Sequence, residues 1–372
     1  MLLSIVSVYL IILLVYLYNL NVLLKAWEPI PKDKSPGFYK DGFTLLIPFR
    51  DELKNLGRLM ANLSGVLPGK AEVIFIDDQS EDGSLEWVKK EIKALAKGNW
   101  RCISSNGSGK KAALNTGILA SQFDILVTTD ADVILNKGWP SSLISSFSEP
   151  TIQLVAGPVL VQGKESVFAH FQLAEWASIL LVTRASFQWR NPVMCSAANL
   201  AFRKSAFFSV GGYQGNEQFL SGDDEFLLKK VHQYYGGFST KYIIEKNSLV
   251  QTFAFDSIIA WINQRARWAG KWKLHGFGIH ALSAMGLVIF SAIHLSTFIW
   301  VLVSLKWGLA ILIYWGMKIG MERKVLGRVL NSYDRDLPLG SYIWTSVLHP
   351  ALILITLPYA LFGKFSWKGR KN

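Results

Sequence analysis

The stretch FTLLIPFRDELKNLGRLMANLSGVLPGKAEVIFIDDQSEDGS, residues 43–84, decides the fold. Its opening run, Phe43–Phe49, is apolar throughout and of strand length, the pattern of a strand buried on both faces. After Arg50 the period changes: Leu53, Leu56, Leu59, Met60 and Leu63 recur at the spacing of one helix face. Ala71–Asp78, "AEVIFIDD", then reads as a second buried strand. Strand, helix and strand in succession call for a crossover between parallel strands.

Working outward, Ser84–Lys97 reads as a second helix that Ser80 or Asp82 can cap, and "KKAALNTGILAS" as a third. "DILVTTDAD", Asp124–Asp132, reads as a third core strand. The expected fold class is α/β with a mixed, mostly parallel central sheet. Such sheets bind ligands beyond the carboxyl ends of their strands. Acids gather there: Asp77-Asp78 and Asp130-Ala131-Asp132 end two strands, and Arg50-Asp51-Glu52 follows the other.

Each motif has a functional and a plain structural use. Strand alternation points Asp130 and Asp132 the same way, so their oxygens can hold a hard divalent cation; the plain use is a turn or cap. Asp77 and Asp78 can accept hydrogen bonds from a base or ribose, and the residues after them suit a helix start. Lys110, at a helix start, can neighbour a phosphate or be solvated. Asp223-Asp224-Glu225 compensate a helix dipole, or one of them is a general base, ionised at neutral pH. "WINQRARWAGKWKLHG" (Trp261–Gly276) has the composition of an interfacial belt. Its adjacent Arg267 and Trp268 face different directions on a helix, one suited to a phosphate and the other to stacking on a sugar.

Some classes are excluded. "SSNGSGKKAALN" lacks the first glycine of a phosphate loop and has Lys111 where Ser or Thr should follow the lysine. There is no G-x-G-x-x-G after a strand, so a nicotinamide or flavin enzyme has no support. Cys102 and Cys195, the two cysteines, have neither metal-ligand spacing nor a disulfide framework.

The 372-residue chain is 51% hydrophobic and 18% charged, with mean hydropathy +0.26, and the apolar excess sits at its ends. Leu2–Leu24 is uncharged and, as a helix of about 34 Å, covers a bilayer core. It lacks a basic leader and a small-residue cleavage site, so it reads as an uncleaved anchor. Gly276–Leu305 and Gly340–Gly363 are uncharged, and Trp307–Met317 is apolar but short, implying two or three further spans. Lys25, Lys32, Lys34 and Lys40 after the first span, and Arg265 to Lys273 before the second, place the middle of the chain in the cytoplasm. Lys364, Lys368, Arg370 and Lys371 ask the same of the tail, which requires an even number of crossings after Lys273. The net charge of +12 is spread, suiting a membrane surface and not nucleic acid.

Together the motifs resemble those of membrane-bound inverting family 2 glycosyltransferases, the group containing cellulose, chitin and hyaluronan synthases and bacterial single-sugar transferases. "IPFRDE" is similar to the family's first-strand segment, "DDQSEDGS" to D-D-x-S-x-D-G-[ST], and "GKKAALNTG" to G-K-x-x-A-L-N-x-G. "DAD" resembles its D-x-D, "GDDEFL" its [ED]-D-x-x-L, with Asp223 where Glu is frequent, and "QRARW" its Q-x-x-R-W. All six occur in family order, and the tail "WKGR" also recurs in the group.

The resemblance implies a GT-A fold with transmembrane helices at both ends and a Mg²⁺ or Mn²⁺ cofactor. Asp77 or Asp78 would contact base and ribose, with Lys110 and Asp130 beside the nucleotide. Asp132, with Asp130, would hold the metal. Asp224 would deprotonate the acceptor hydroxyl, Arg267 would contact the diphosphate, and Gln264 and Trp268 would shape the acceptor side. Expected partners are a nucleotide-sugar donor, UDP-sugar favoured, a lipid-linked or glycan acceptor, and the membrane.

The expected organisation is an anchor over residues 1–25, a catalytic domain over 40–240, an acceptor-side segment over 241–277, C-terminal transmembrane helices over 278–363 and a basic cytoplasmic tail over 364–372. The chain is expected to be multi-pass in the inner cell membrane with a cytoplasmic catalytic domain. A non-processive transferase is favoured over a processive polysaccharide synthase. "FAHFQLAEWASILLV" (Phe168–Val182) reads as an interface helix near a lipid-linked acceptor or as a core helix. A catalytically silent nucleotide-binding scaffold needs no base, and a transporter needs more spans and intramembrane charge than the longer spans offer.

Overall fold

The computed structural model describes residues 2–28, 42–216, 222–269, 279–303, 308–362, 366–367 and 370–371. In chain order the helices are α1 (Leu2–Trp27), α2 (Leu53–Val66), α3 (Ser84–Ala94), α4 (Lys110–Ala120), α5 (Ser141–Ile144), α6 (Val167–Gln188), α7 (Lys204–Ser209), α8 (Asp223–Tyr235), α9 (Ile258–Ala269), α10 (Ile279–Val303), α11 (Gly308–Asn331) and α12 (Leu339–Phe362). The strands are β1 (Phe43–Phe49), β2 (Glu72–Asp77), β3 (Trp100–Ser104), β4 (Ile125–Thr128), β5 (Ile134–Leu135), β6 (Leu154–Ala156), β7 (Val159–Gln162), β8 (Leu200–Arg203), β9 (Thr240–Tyr242), β10 (Val250–Phe253), β11 (Ser366–Trp367) and β12 (Arg370–Lys371). The chain divides into two units. One comprises residues 29–161 and 183–253; the other comprises residues 1–28, 162–182 and 254–372.

The first unit is the α/β unit. Its main sheet runs β3-β2-β1-β4-β8-β6-β9. β1 pairs in parallel with β2 and β4, β2 with β3, and β6 with β9, whereas β8 is antiparallel to β4 and β6. The sheet is therefore mixed and mostly parallel, as expected. All seven residues of β1 are buried, which is why it reads as a continuous apolar run. Helix α2 buries Leu56, Leu59, Met60 and Leu63. Gly117 lets α4 approach the sheet closely, since a Cβ there would lie 2.8 Å from Ile76 and 3.0 Å from Leu46.

Two sequence readings need correction. The third core strand stops at Thr128, paired with Leu200 at the end of β8. Residues 197–199 beyond it form a 3₁₀ turn, and the hydroxyls of Thr128 and Thr129 donate to Ala197 O and Ala198 O there. Asp130-Ala131-Asp132 therefore lies in the following turn, and strand alternation does not set its direction. The second helix ends at Ala94, short of Lys97. β3, β6, β8 and β9 of the main sheet and the small sheet β5-β10-β7 are additions to the three strands read from sequence.

The second unit holds α1, most of α6, and α9 to α12. Within it, Ser7–Trp27 and Leu339–Leu361 are long and apolar enough to cross a membrane, and Met285–Trp300 is a shorter apolar stretch. Trp307–Met317 lies partly outside the described residues. Its described residues open α11, whose later turns carry Lys318, Glu322, Arg323, Lys324 and Arg328. Glu322 accepts from Lys318 at 2.6 Å, from Tyr16 of α1 at 2.5 Å, and from Ser346 of α12, tying three helices to one carboxylate. Lys32, Lys34, Lys40, Lys271, Lys273, Lys364 and Lys368 lie outside the described residues, while Arg370 and Lys371 lie on β12.

Candidate active site

In the α/β unit the acids converge as the sheet topology requires. Asp77 ends β2 and is buried, and its carboxylate accepts from Ser80 N–H at 3.2 Å. Asp78 is also buried; its Oδ1 accepts from Gly109 N–H at 2.7 Å, and its carbonyl from Arg50 Nη1 at 3.2 Å. The second strand end is thereby tied both to the first and to the loop opening α4. Asp82 accepts from Leu53 N–H and Ser84 N–H, both at 3.0 Å, so one side chain serves the starts of α2 and α3. Burial opposes its ionisation, but these bonds and the Ser84 hydroxyl outweigh it and hold the carboxyl below the usual aspartate range.

Gly109, at φ +99°, turns the chain into α4 and directs Lys110 across the strand ends. Its Nζ lies 2.6 Å from Asp130 and 3.6 Å from Asp223. Burial works against the ammonium, but the charges of Asp130, Asp223 and Asp224 overcome it and raise the lysine above its ordinary pKa. It is a fixed cation at all physiological pH values. Asp130 and Asp223, remote in sequence, are thus held on one side chain.

Asp223 and Asp224 open α8 after Gly222, which takes φ +89°. Asp224 Oδ2 accepts from Ala197 N–H at 3.1 Å and Oδ1 from Glu225 N–H at 2.8 Å. Ala197 begins the turn that also receives Thr128, so the strand preceding Asp130 and the acid at Asp224 share a support. Asn199 ends that turn as a buried hub: its Nδ2 donates to Pro158 O and Ser248 O, each at 2.8 Å, and its Oδ1 accepts from Trp139 Nε1 at 2.9 Å.

Sequence reasoning missed three participants here. Asn199 carries no motif, and only its place between apolar neighbours hinted at a buried amide. Lys111, beside Lys110, is buried and donates to Asn216 O at 2.5 Å, anchoring the segment before α8. Buried Tyr213 has its hydroxyl pKa pushed well up by burial and then by Asp223 and Asp224. Burial, followed by the Asp77 charge, pushes the Cys102 thiol up to about 12, so it is no nucleophile at neutral pH.

No group of three or more His, Cys, Asp or Glu side chains converges as a metal cage among the described residues. The acids of the Asp130–Asp132 turn offer oxygen donors alone. A sparse oxygen set of this kind fits Mg²⁺ or Mn²⁺, which retain ligands from a diphosphate and water.

Residues 44–210 match the model of the family described as "Glycosyl transferase family 2". The chain carries a family 2 glycosyltransferase domain. It is 27% identical over 231 residues to a poly-beta-1,6-N-acetyl-D-glucosamine synthase of Staphylococcus aureus (strain COL), covering 62% of this chain and 54% of that protein. It is 28% identical over 263 residues to a pre-mycofactocin glycosyltransferase of Mycobacterium tuberculosis (strain CDC 1551 / Oshkosh), covering 67% and 50%. The chain thus spans about half the length of these relatives. Among solved structures, the mannosyltransferase PcManGT of Pyrobaculum calidifontis, in complex with GDP-Man and Mn²⁺, aligns over 97% of both chains with a TM-score of 0.61 at 15% identity. That likeness establishes the GT-A fold.

Gln264, Arg267 and Trp268 lie on α9, in the other unit. Their neighbour Arg265, a variable position of the motif, pairs with Glu175 of α6, its Nε and Nη2 donating at 2.8 and 2.6 Å.

Proposed function

We propose that this protein is a membrane-anchored inverting glycosyltransferase. It moves a sugar from a nucleotide-diphosphate sugar, with UDP-sugar favoured, to a hydroxyl of a lipid-linked or glycan acceptor in cell-envelope glycan or glycolipid synthesis. The observation that carries the reading is Lys110 bridging Asp130 and Asp223 at 2.6 and 3.6 Å, which gathers three separate motifs at one edge of the sheet.

Asp77 and Asp78 receive the base and ribose as hydrogen-bond acceptors. Asp224, held by two backbone N–H groups, takes the proton of the acceptor hydroxyl as that oxygen bonds to the anomeric carbon. The bond from that carbon to the diphosphate breaks in the same displacement, and one displacement inverts the centre. Lys110, and Arg267 by resemblance, offset charge developing on the departing diphosphate. Asp132 with Asp130 would hold Mg²⁺ or Mn²⁺, which supplies Lewis-acid stabilisation of the leaving group when bound. Gln264 and Trp268 serve the acceptor.

Two apolar helices, one near each end of the chain, support membrane association. The reading extends this to a multi-pass protein of the inner membrane with a cytoplasmic catalytic unit. A processive polysaccharide synthase is the second reading, favoured by the Staphylococcus relative. Membranes containing the full chain, incubated with UDP-, GDP- and dTDP-sugars, test the proposal. Consumption of one donor with transfer of its sugar to a lipid or glycan is expected; failure to consume any donor contradicts it.

A further inference from the structure

The Q-x-x-R-W segment has an internal frame in which its variable residue is the keystone. Trp261, Gln264, Arg265 and Trp268 recur at three- and four-residue steps and share one face of α9; Arg267, about 200° round the helix from Arg265, does not. Facing them within the same unit is Glu175 of α6. Its side chain is 8% exposed and Arg265's is 10%, so both charges are withdrawn from water. Glu175 accepts three bonds, from Arg265 Nε at 2.8 Å, Arg265 Nη2 at 2.6 Å and Trp261 Nε1 at 2.9 Å. The two-pronged pairing fixes the plane of the guanidinium.

That plane orients two motif residues. Arg265 Nη1 donates to Gln264 Oε1. Because arginine only donates, this bond determines which end of the amide faces it, and the NH₂ group of Gln264 is presented elsewhere. The guanidinium also lies over the Trp268 ring, 4.3 Å from its centroid, and Trp176 meets that ring edge-on at 5.7 Å and 85°. One indole face is thereby covered, and the ring cannot turn without breaking the stack.

We infer that Glu175 is a positioning residue: acting through Arg265, it sets the Gln264 amide as a donor and holds the Trp268 ring for the acceptor. This rests on the reading of Gln264 and Trp268 as acceptor-side residues. Such a frame lets α6, a helix outside the recognised motifs, govern acceptor use without touching the donor.

The test compares Glu175→Gln, Arg265→Met and the double substitution in the full chain in detergent and in native membranes. Each single variant strands a buried partner and lowers the melting temperature; the double variant removes both charges and recovers most of it. In fluorotryptophan-labelled protein, with the Trp268 signal assigned by Trp268→Phe, the double variant shifts or broadens that fluorine resonance and leaves those of Trp27 and Trp315 in place. Transfer in membranes falls about tenfold or more, while UDP binding to the detergent-solubilised protein changes less than about twofold. An unmoved Trp268 resonance, or full transfer by the refolded double variant, overturns the inference. Full transfer by Trp268→Phe and Gln264→Ala would instead remove the acceptor-side reading, with the fluorine result standing by itself.

Discussion

Asn199 offers a sharp test of how the site is supported. Replacing it with Ala leaves Ser248 O and Trp139 Nε1 without their partner at a fully buried position, and takes one of two donors from Pro158 O, which keeps Val250 N–H at 3.1 Å. At about 1–3 kcal/mol for each buried polar group left unpaired, two groups give roughly 2–6 kcal/mol, with the low end applying where water enters the vacated space. That is a large share of the usual 5–15 kcal/mol of a folded domain. Packing offers little relief, because Gly157 is where a Cβ would come within 2.5 Å of the Asn199 amide, so the wall beside it is bare backbone. Asn199→Asp is expected to cost at least as much, since a carboxylate would face two carbonyl oxygens where the amide now donates. Urea unfolding of the full chain in detergent, followed by tryptophan fluorescence, measures both. Transfer should fall with stability, because the turn ending at Asn199 supplies the N–H that holds Asp224. A stability for Asn199→Ala within about 0.5 kcal/mol of the parent would refute the account of this turn.

Other outcomes follow from the same contacts. Asp82→Ala, which uncaps two helices, should cost about 1 kcal/mol at neutral pH. Because the folded carboxyl has a lowered pKa, that contribution is present above the unfolded value and disappears as pH falls through the folded one, so parent and variant should converge in acid urea melts. Lys110→Met should weaken binding of a nucleotide diphosphate about tenfold by calorimetry, since it removes the cation facing Asp130 and Asp223. Chelation should abolish transfer, and Asp132→Asn should raise the Mn²⁺ concentration for half-maximal rate about tenfold; full rate in metal-free buffer would remove the role given to Asp132.

What the sequence disclosed depended on whether the signal was local. β1 was read to the residue because a strand flanked by parallel partners is buried throughout and bounded by Gly42 and Arg50. β4 was overextended because the apolar run continues into Val133–Leu135, while the ladder ends where the antiparallel partner β8 gives way to the turn at Ala197–Asn199. No local pattern announces a partner that arrives from seventy or so residues downstream. β3 went unread because "WRCIS" mixes polar and apolar residues at an edge of the sheet. The acidic motifs were found by position at strand ends, yet their arrangement around Lys110 required the fold. Arg265 looked like one basic residue among several before a span; its pairing with Glu175, on a helix far away in sequence, leaves no trace in either segment alone.

The proposed reaction makes Asp224 the base of a single displacement from a nucleotide sugar. It is tested most directly by measuring sugar transfer and UDP binding in Asp224→Asn of the full chain, using the donor that the parent consumes. The side-chain amide keeps the size of the carboxylate and a carbonyl oxygen to receive Ala197 N–H, but it cannot take a proton. The account predicts that transfer falls by about a thousandfold or more while UDP binds within about twofold of the parent. Transfer at the parental rate, with binding intact, would contradict it.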